Sequence, residues 1–207
     1  MKKVLVGLWS ASLLFSIYCY QIFPDTIATH YDWKFQPDCY GDKSAVFLHP
    51  LILIVISLSL IVLNRLPSIK KQTASFEKTY WRILVALAVL VLAMQIVEFI
   101  NVKSTMAING LALVMGIMLV YLGNYMPKVK YNYFVGIRTP WTYRSELNWY
   151  KTHRFGGICF MIAGAALSLF AILKAVFVLW IAITMVCIPI IYSFLFYLKE
   201  QKEHVGN

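Results

Sequence analysis

The sequence predicts an all-α fold: a polytopic membrane protein with six transmembrane helices and both termini cytoplasmic. Three observations point there. Charged residues make up 14% of the chain and hydrophobic residues 60%, where a soluble domain carries roughly a quarter charged residues. The apolar residues fall into six runs close to the length of about 20 residues that a helix needs to cross a hydrocarbon core. They show none of the alternation that a transmembrane barrel requires, and helices satisfy their own backbone groups, as lipid demands. Finally, Lys and Arg are unevenly shared among the connectors. With both termini inside, 15 lie on the cytoplasmic face and four on the outer face, the bias that sets orientation in membranes. The net charge of +10 is therefore a topology signal. The basic residues are split among juxtamembrane loops, which argues against a nucleic-acid footprint. With no internal repeat and no low-complexity linker, residues 1–207 read as one membrane domain.

The first span is predicted at Val4–Ile22. Met1-Lys2-Lys3 ahead of an apolar run is also how a signal peptide begins. The run is long, however, and no small-x-small site precedes Pro24, so a retained helix is expected. An outer loop, 23–45, follows. It is rich in aromatics, Pro24 is expected to end the first helix, and Pro37-Asp38 with Gly41 read as turn residues. Two readings stay open for it: an outward recognition surface, or an interfacial loop whose Tyr and Trp rings lie among lipid headgroups. His30 with Asp32 and Asp38 matches no metal-ligand spacing, and the four cysteines form neither a metal motif nor a disulfide framework. Neither a metal nor a cofactor is expected.

The second span is placed at Val46–Leu63 and the third at Ile83–Ile100, joined by a basic inner connector. Near the outer end of the third lie Gln95 and Glu98, three residues apart and so on one helix face. An ionisable group inside the bilayer marks a functional site by default. Glu98 is close enough to the boundary to reach the headgroups instead, or to pair with Lys103. The fourth span, Ala107–Met126, carries Gly110, Gly116 and Gly123, expected to form one small-residue face for close helix packing. The fifth span, Phe155–Leu173, begins with a similar set, Gly156, Gly157 and Gly164. The sixth is placed at Ala175–Leu198.

The inner loop, 127–154, contains the most distinctive segment of the chain, Tyr133 to Trp141. Thr139-Pro140 fits an N-cap with Pro at the first helical position, and Ser145-Glu146 offers a second start slightly later. From there Trp149, Tyr150, His153 and Phe155 interleave with Lys151 and Arg154, as in an interfacial helix leading into the fifth span. Arg138 and Trp141 are expected either to anchor this loop at the membrane surface or to recognise a partner, a role for which the planar guanidinium fork suits a carboxylate or phosphate.

Two motifs carry a family resemblance. Val135-Gly136-Ile137-Arg138-Thr139-Pro140-Trp141-Thr142, followed by Glu146, Trp149 and His153-Arg154-Phe155, resembles the SdpI-type immunity family of bacterial membrane proteins. In the outer loop, Pro24, Ile27, His30 and Tyr31 resemble the signature of that family's amino-terminal domain of unknown function. The sequence departs from that signature at Ala28, where a second Pro is usual, and at Phe35, where Gly is common. The resemblance extends over essentially the whole chain. It implies a non-enzymatic protein of the bacterial plasma membrane that protects its cell from a secreted killing peptide. It further implies signalling by holding a small transcriptional repressor at the membrane. On this reading Pro24, Ile27, His30 and Tyr31 are candidates for toxin sensing, and Gly136, Arg138, Thr139, Pro140 and Trp141 for an inner role, either partner contact or loop architecture. The predicted topology keeps the inner motif away from an extracellular peptide. A small-solute or ion transporter, motivated by Gln95 and Glu98, is the alternative. A membrane enzyme lacks any recognisable catalytic pair.

Overall fold

A computed structural model describes residues 1–31, 37–103, 108–173 and 176–205. The features assigned above to Asp32, Phe35, Ala107 and Ala175, and to the side chains of Tyr31 and Lys103, lie outside what it describes. Helices α1 (Lys2–Ile22), α2 (Leu48–Leu63), α4 (Glu77–Lys103), α5 (Ile108–Tyr125), α6 (Glu146–Leu173) and α7 (Val176–Val205) dominate the fold. Among the described residues, six helices are long and apolar enough to cross a membrane. Between α2 and α4 lies a short surface helix, α3 (Pro67–Thr73), with Pro67 in its first turn, where the missing N–H is harmless.

Two groups of helices form the bundle. Leu5, Leu53, Tyr80, Trp81, Leu84 and Trp149 make one core, joining α1, α2 and α4 to the start of α6. Ala112, Ala163, Leu167, Phe170 and Ala182 make another, joining α5, α6 and α7. The α5–α6 seam is set by glycine. A Cβ at Gly116 would lie 2.6 Å from the Gly164 carbonyl oxygen, and one at Gly123 would lie 2.6 Å from that of Gly157. Backbones this close need small residues, which is how helices associate where lipid removes the hydrophobic drive. Gly110 does not share this face. It precedes Gly116 by six residues, about a third of a turn out of register at 3.6 residues per turn, and it meets Val97 of α4 instead.

The helices extend beyond the predicted apolar spans at the basic face. α4 begins at Glu77 rather than Ile83, and α6 at Glu146 rather than Phe155. Ser145 starts α6, its Oγ accepting the Asn148 N–H at 3.1 Å. Thr139-Pro140 opens only an isolated turn, in which Tyr143 N–H donates to the Thr139 carbonyl at 3.3 Å. The later of the two start signals therefore begins the helix.

The outer loop also differs from expectation. Strands β1 (Thr26–Tyr31) and β2 (Pro37–Asp42) pair antiparallel, with Ile27 opposite Gly41 and Tyr31 opposite Pro37. Pro37, Asp38 and Gly41 are thus strand residues, not turn residues. Pro37 stands first in β2, where a missing donor is tolerated.

Candidate functional site

At the outer end, Phe23 leaves α1 in extended conformation (φ −81°, ψ 151°), the geometry that Pro24 imposes on the residue before it. Pro24 is exposed, whereas Ile27 is only 2% exposed, packed with Cys19, Phe23 and Val46 and flanked by Phe15 and Phe99. A lone hairpin is marginal in water; this apolar peg ties it to α1, α4 and the 3-10 turn ahead of α2. Two polar contacts brace it. Lys43 Nζ lies 2.9 Å from Asp25 Oδ1. Asp42 Oδ1 accepts the Ser44 N–H at 2.8 Å, and hydrogen bonding from the Ser44 side chain, then from this N–H, holds the Asp42 carboxyl below the usual range. His30 and Asp38 point outward, Nδ1 to Oδ1 at 2.6 Å, with both side chains largely exposed. The four outer candidates therefore divide. Pro24 and Ile27 shape and seat the hairpin, His30 is presented to solvent, and Tyr31 is placed by its backbone pairing alone.

Beneath the hairpin lies a polar layer. Ser12 Oγ donates to Gln95 Oε1 at 2.8 Å. Gln95 Nε2 donates to the Ser12 carbonyl at 3.1 Å and to Ser16 Oγ at 2.6 Å. Ser16 Oγ in turn donates to the Val46 carbonyl at 2.8 Å. Gln95 is 2% exposed and both serines are fully buried. Glu98 Oε2 lies 3.3 Å from Nδ1 of His49 on α2, with both side chains mostly buried. That nitrogen makes no well-aligned hydrogen bond, so the two groups are close neighbours without being bonded. Sequence reasoning named Gln95 and Glu98 but not Ser12, Ser16 or His49. The four-residue spacing of Ser12 and Ser16 on an apolar helix was the available signal.

At the opposite end, the inner loop folds as a web of buried polar groups. Asn132 is fully buried. Its Oδ1 accepts the N–H groups of Phe134 and Val135, both at 2.7 Å, while Nδ2 donates to the carbonyls of Lys130 and Val135. Gly136 has φ +124°, a conformation that only glycine adopts readily. His153 lies directly behind it. Its Nε2 accepts the Ile137 N–H at 3.0 Å, so Nδ1 carries the proton and donates to the Trp149 carbonyl at 2.8 Å. Thr139 and Thr142 are buried and bonded to each other, the Thr139 N–H donating to Thr142 Oγ1 at 2.9 Å.

Trp141 leaves the loop for α7. Its indole N–H donates to Ser193 Oγ, and its ring lies 5.1 Å from that of Phe194. Asn148 Nδ2 donates to the Ser193 carbonyl at 3.0 Å, Arg144 to Tyr197 Oη at 2.6 Å, and Ser145 Oγ to Glu200 Oε1 at 2.7 Å. Tyr131, in contact with the rings of Tyr133, Tyr143 and Trp149, donates to the Tyr143 carbonyl at 2.8 Å. Burial, and then the neighbouring Tyr133 hydroxyl, push its pKa up to about 12. Arg138 and Pro140 are exposed. Arg138 donates to the Tyr133 carbonyl at 3.0 Å and borders a cavity of about 320 Å³ walled by Tyr80, Leu84, Phe134 and Val135. Asn132, Asn148, Thr152 and Ser193 escaped sequence reasoning, because nothing in a single sequence pairs residue 148 with residue 193. Among the described residues, no three His, Cys, Asp or Glu side chains gather to hold a metal.

The web that joins the inner loop to α6 and α7 coincides with a family boundary: residues 128–195 match the model of the SdpI/YfhL protein family. The family it resembles is SdpI/YfhL. Residues 7–54, comprising most of α1, the hairpin and the start of α2, match the domain of unknown function DUF1648. Immunity protein SdpI of Bacillus subtilis (strain 168) is 24% identical over 209 residues, covering 100% of each chain. No solved structure matches. The SdpI/YfhL likeness together with six spanning helices makes the chain a multi-pass protein of the cell membrane.

Proposed function

We propose that this protein confers immunity to a secreted killing peptide, without enzymatic chemistry, and that the outer hairpin is where the peptide is met. The likeness to an immunity protein along the full chain carries this reading. The hairpin supports it: Ile27 fixes the ribbon from below while His30 and Asp38 face outward as an exposed hydrogen-bonded pair. Both termini lie in the cytoplasm, on the strength of the basic connectors, so Gly136–Trp141 faces the cell interior and does not meet the toxin. Expression in a toxin-sensitive bacterium tests the proposal. Survival should rise with the native chain and fall back when His30 and Asp38 are both changed to Ala at unchanged membrane abundance. Equal killing with and without the native chain across the cognate candidates refutes it.

Signalling through a membrane-held repressor is the finer reading. It is supported by the exposed guanidinium of Arg138, which spends one N–H on Tyr133 and keeps its other donors for a partner. Arg138→Lys should lower recruitment of the regulator to the membrane while leaving the fold intact. Transport is less well supported, since Gln95 is consumed by Ser12 and Ser16 and Glu98 faces His49. Proton or solute flux in liposomes abolished by Glu98→Gln would reverse that order.

A further inference from the structure

Helices α4 and α5 touch closely at their outer ends, where a Cβ at Gly110 would lie 3.3 Å from Val97. Toward the basic face they part, because Gly116 and Gly123 hold α5 against α6. The opening is an almost entirely apolar groove of about 380 Å³, with Ala86, Val89 and Ala93 on one wall and Val114, Ile117 and Tyr121 on the other. It opens sideways from two spanning helices, into the hydrocarbon layer. Its end at the basic face carries charge. The Tyr121 ring lies 4.7 Å from that of Tyr125, and Tyr125 gathers two cations, Lys128 Nζ at 4.5 Å and Arg82 Cζ at 5.7 Å from its centroid. Both cations are exposed, and neither makes a salt bridge to a described carboxylate.

We propose that this groove holds one acyl chain of an anionic phospholipid whose headgroup phosphate is bound by Arg82 and Lys128. An apolar trough ending in two exposed cations on an aromatic ring is complementary to such a lipid at both ends. Arg presents a planar fork of donors to phosphate oxygens, and basic side chains at the membrane surface attract anionic lipid. A second helix seated in the groove would bury the apolar wall but leave the two cations without an anion.

Native mass spectrometry of the purified full-length protein, titrated with phosphatidylglycerol or phosphatidylcholine of identical chains, tests this. The native protein should retain the anionic lipid preferentially, by about five-fold for each cation engaged. Arg82→Gln with Lys128→Gln should bring the two lipids to equal retention; both side chains are exposed, so the fold should survive. Ile117→Phe, which fills the groove from its exposed wall, should lower retention of both lipids. Equal retention of the two lipids by the native protein overturns the proposal, as does a preference that survives the double Gln variant. So does a dimer of the native chain that Ile117→Phe dissociates, for the groove would then hold a second copy.

Discussion

The imidazole of His153 occupies the space that any side chain at Gly136 would need. A Cβ there would collide with Nε2, the atom that accepts the Ile137 N–H. Conformation and packing thus demand glycine independently, the first through φ +124° and the second through an imidazole held at both nitrogens. Gly136→Ala should destabilise the protein by about 1–3 kcal/mol, read as a lowered apparent melting temperature in detergent. His153→Ala removes the collision but orphans the Ile137 N–H, at a further cost of about 1–3 kcal/mol. The double variant should be less damaged than the two single effects added. Strict additivity would mean that the collision is relieved elsewhere.

Trp141 and Ser193 offer a second test, bearing on whether the motif is architecture or recognition. The indole ties the inner loop to α7 through Ser193 and Phe194. Trp141→Phe keeps the ring contact and loses the N–H donor, and Ser193→Ala loses the acceptor. Each should cost about 1 kcal/mol, the net worth of a typical hydrogen bond, and the double-mutant cycle should show coupling of about 0.5–1.5 kcal/mol. Arg138→Lys, at an exposed position, should leave thermal stability within about 0.5 kcal/mol. If both Trp141→Phe and Arg138→Lys lose immunity with no change in melting, Trp141 is a recognition residue as well.

The outer hairpin predicts a topology. Cys39 is exposed on β2, while Cys19 and Cys159 are buried and Cys187 lies within α7. A membrane-impermeant maleimide added to intact cells should label the native chain and fail to label Cys39→Ser. Labelling only after the cells are opened would invert the proposed orientation and move the Gly136–Trp141 loop to the outside.

What was legible in the sequence follows the range of the physics. The six spans are a matter of local hydropathy, and Glu77 and Glu146 begin helices well before those spans because helix propagation needs no lipid, only helix-forming residues and a cap such as Ser145. The hairpin was hidden because its strands are six residues each and Pro37, Asp38 and Gly41 carry turn propensity that the tertiary seat of Ile27 overrides. Gln95 and Glu98 stood out as polar groups in apolar surroundings. Their partners did not, since Ser12 lies 83 residues from Gln95 and His49 belongs to another helix. The inner motif was visible as composition, but the fact that Thr139, Thr142 and Trp141 point inward while Arg138 and Pro140 point outward is decided by contacts with α6 and α7.

The Gln95 layer should behave as a structural bolt. Its amide joins Ser12 and Ser16 on α1 to α4, and Ser16 extends the chain of bonds to Val46. Gln95→Leu has comparable bulk and removes three hydrogen bonds to the serines, one of them to the Ser12 carbonyl. Hydrogen bonds between helices in lipid are worth about 0.6 kcal/mol each and at most about 1.7, so a loss of about 1–2 kcal/mol is expected. Ser16→Ala should cost less, because Gln95 still holds Ser12. Both variants should keep immunity at permissive temperature if the layer is structural. Immunity lost by Gln95→Leu at native abundance and unchanged melting would instead make this layer part of the functional path, and would shift attention from the hairpin to the polar interior beneath it.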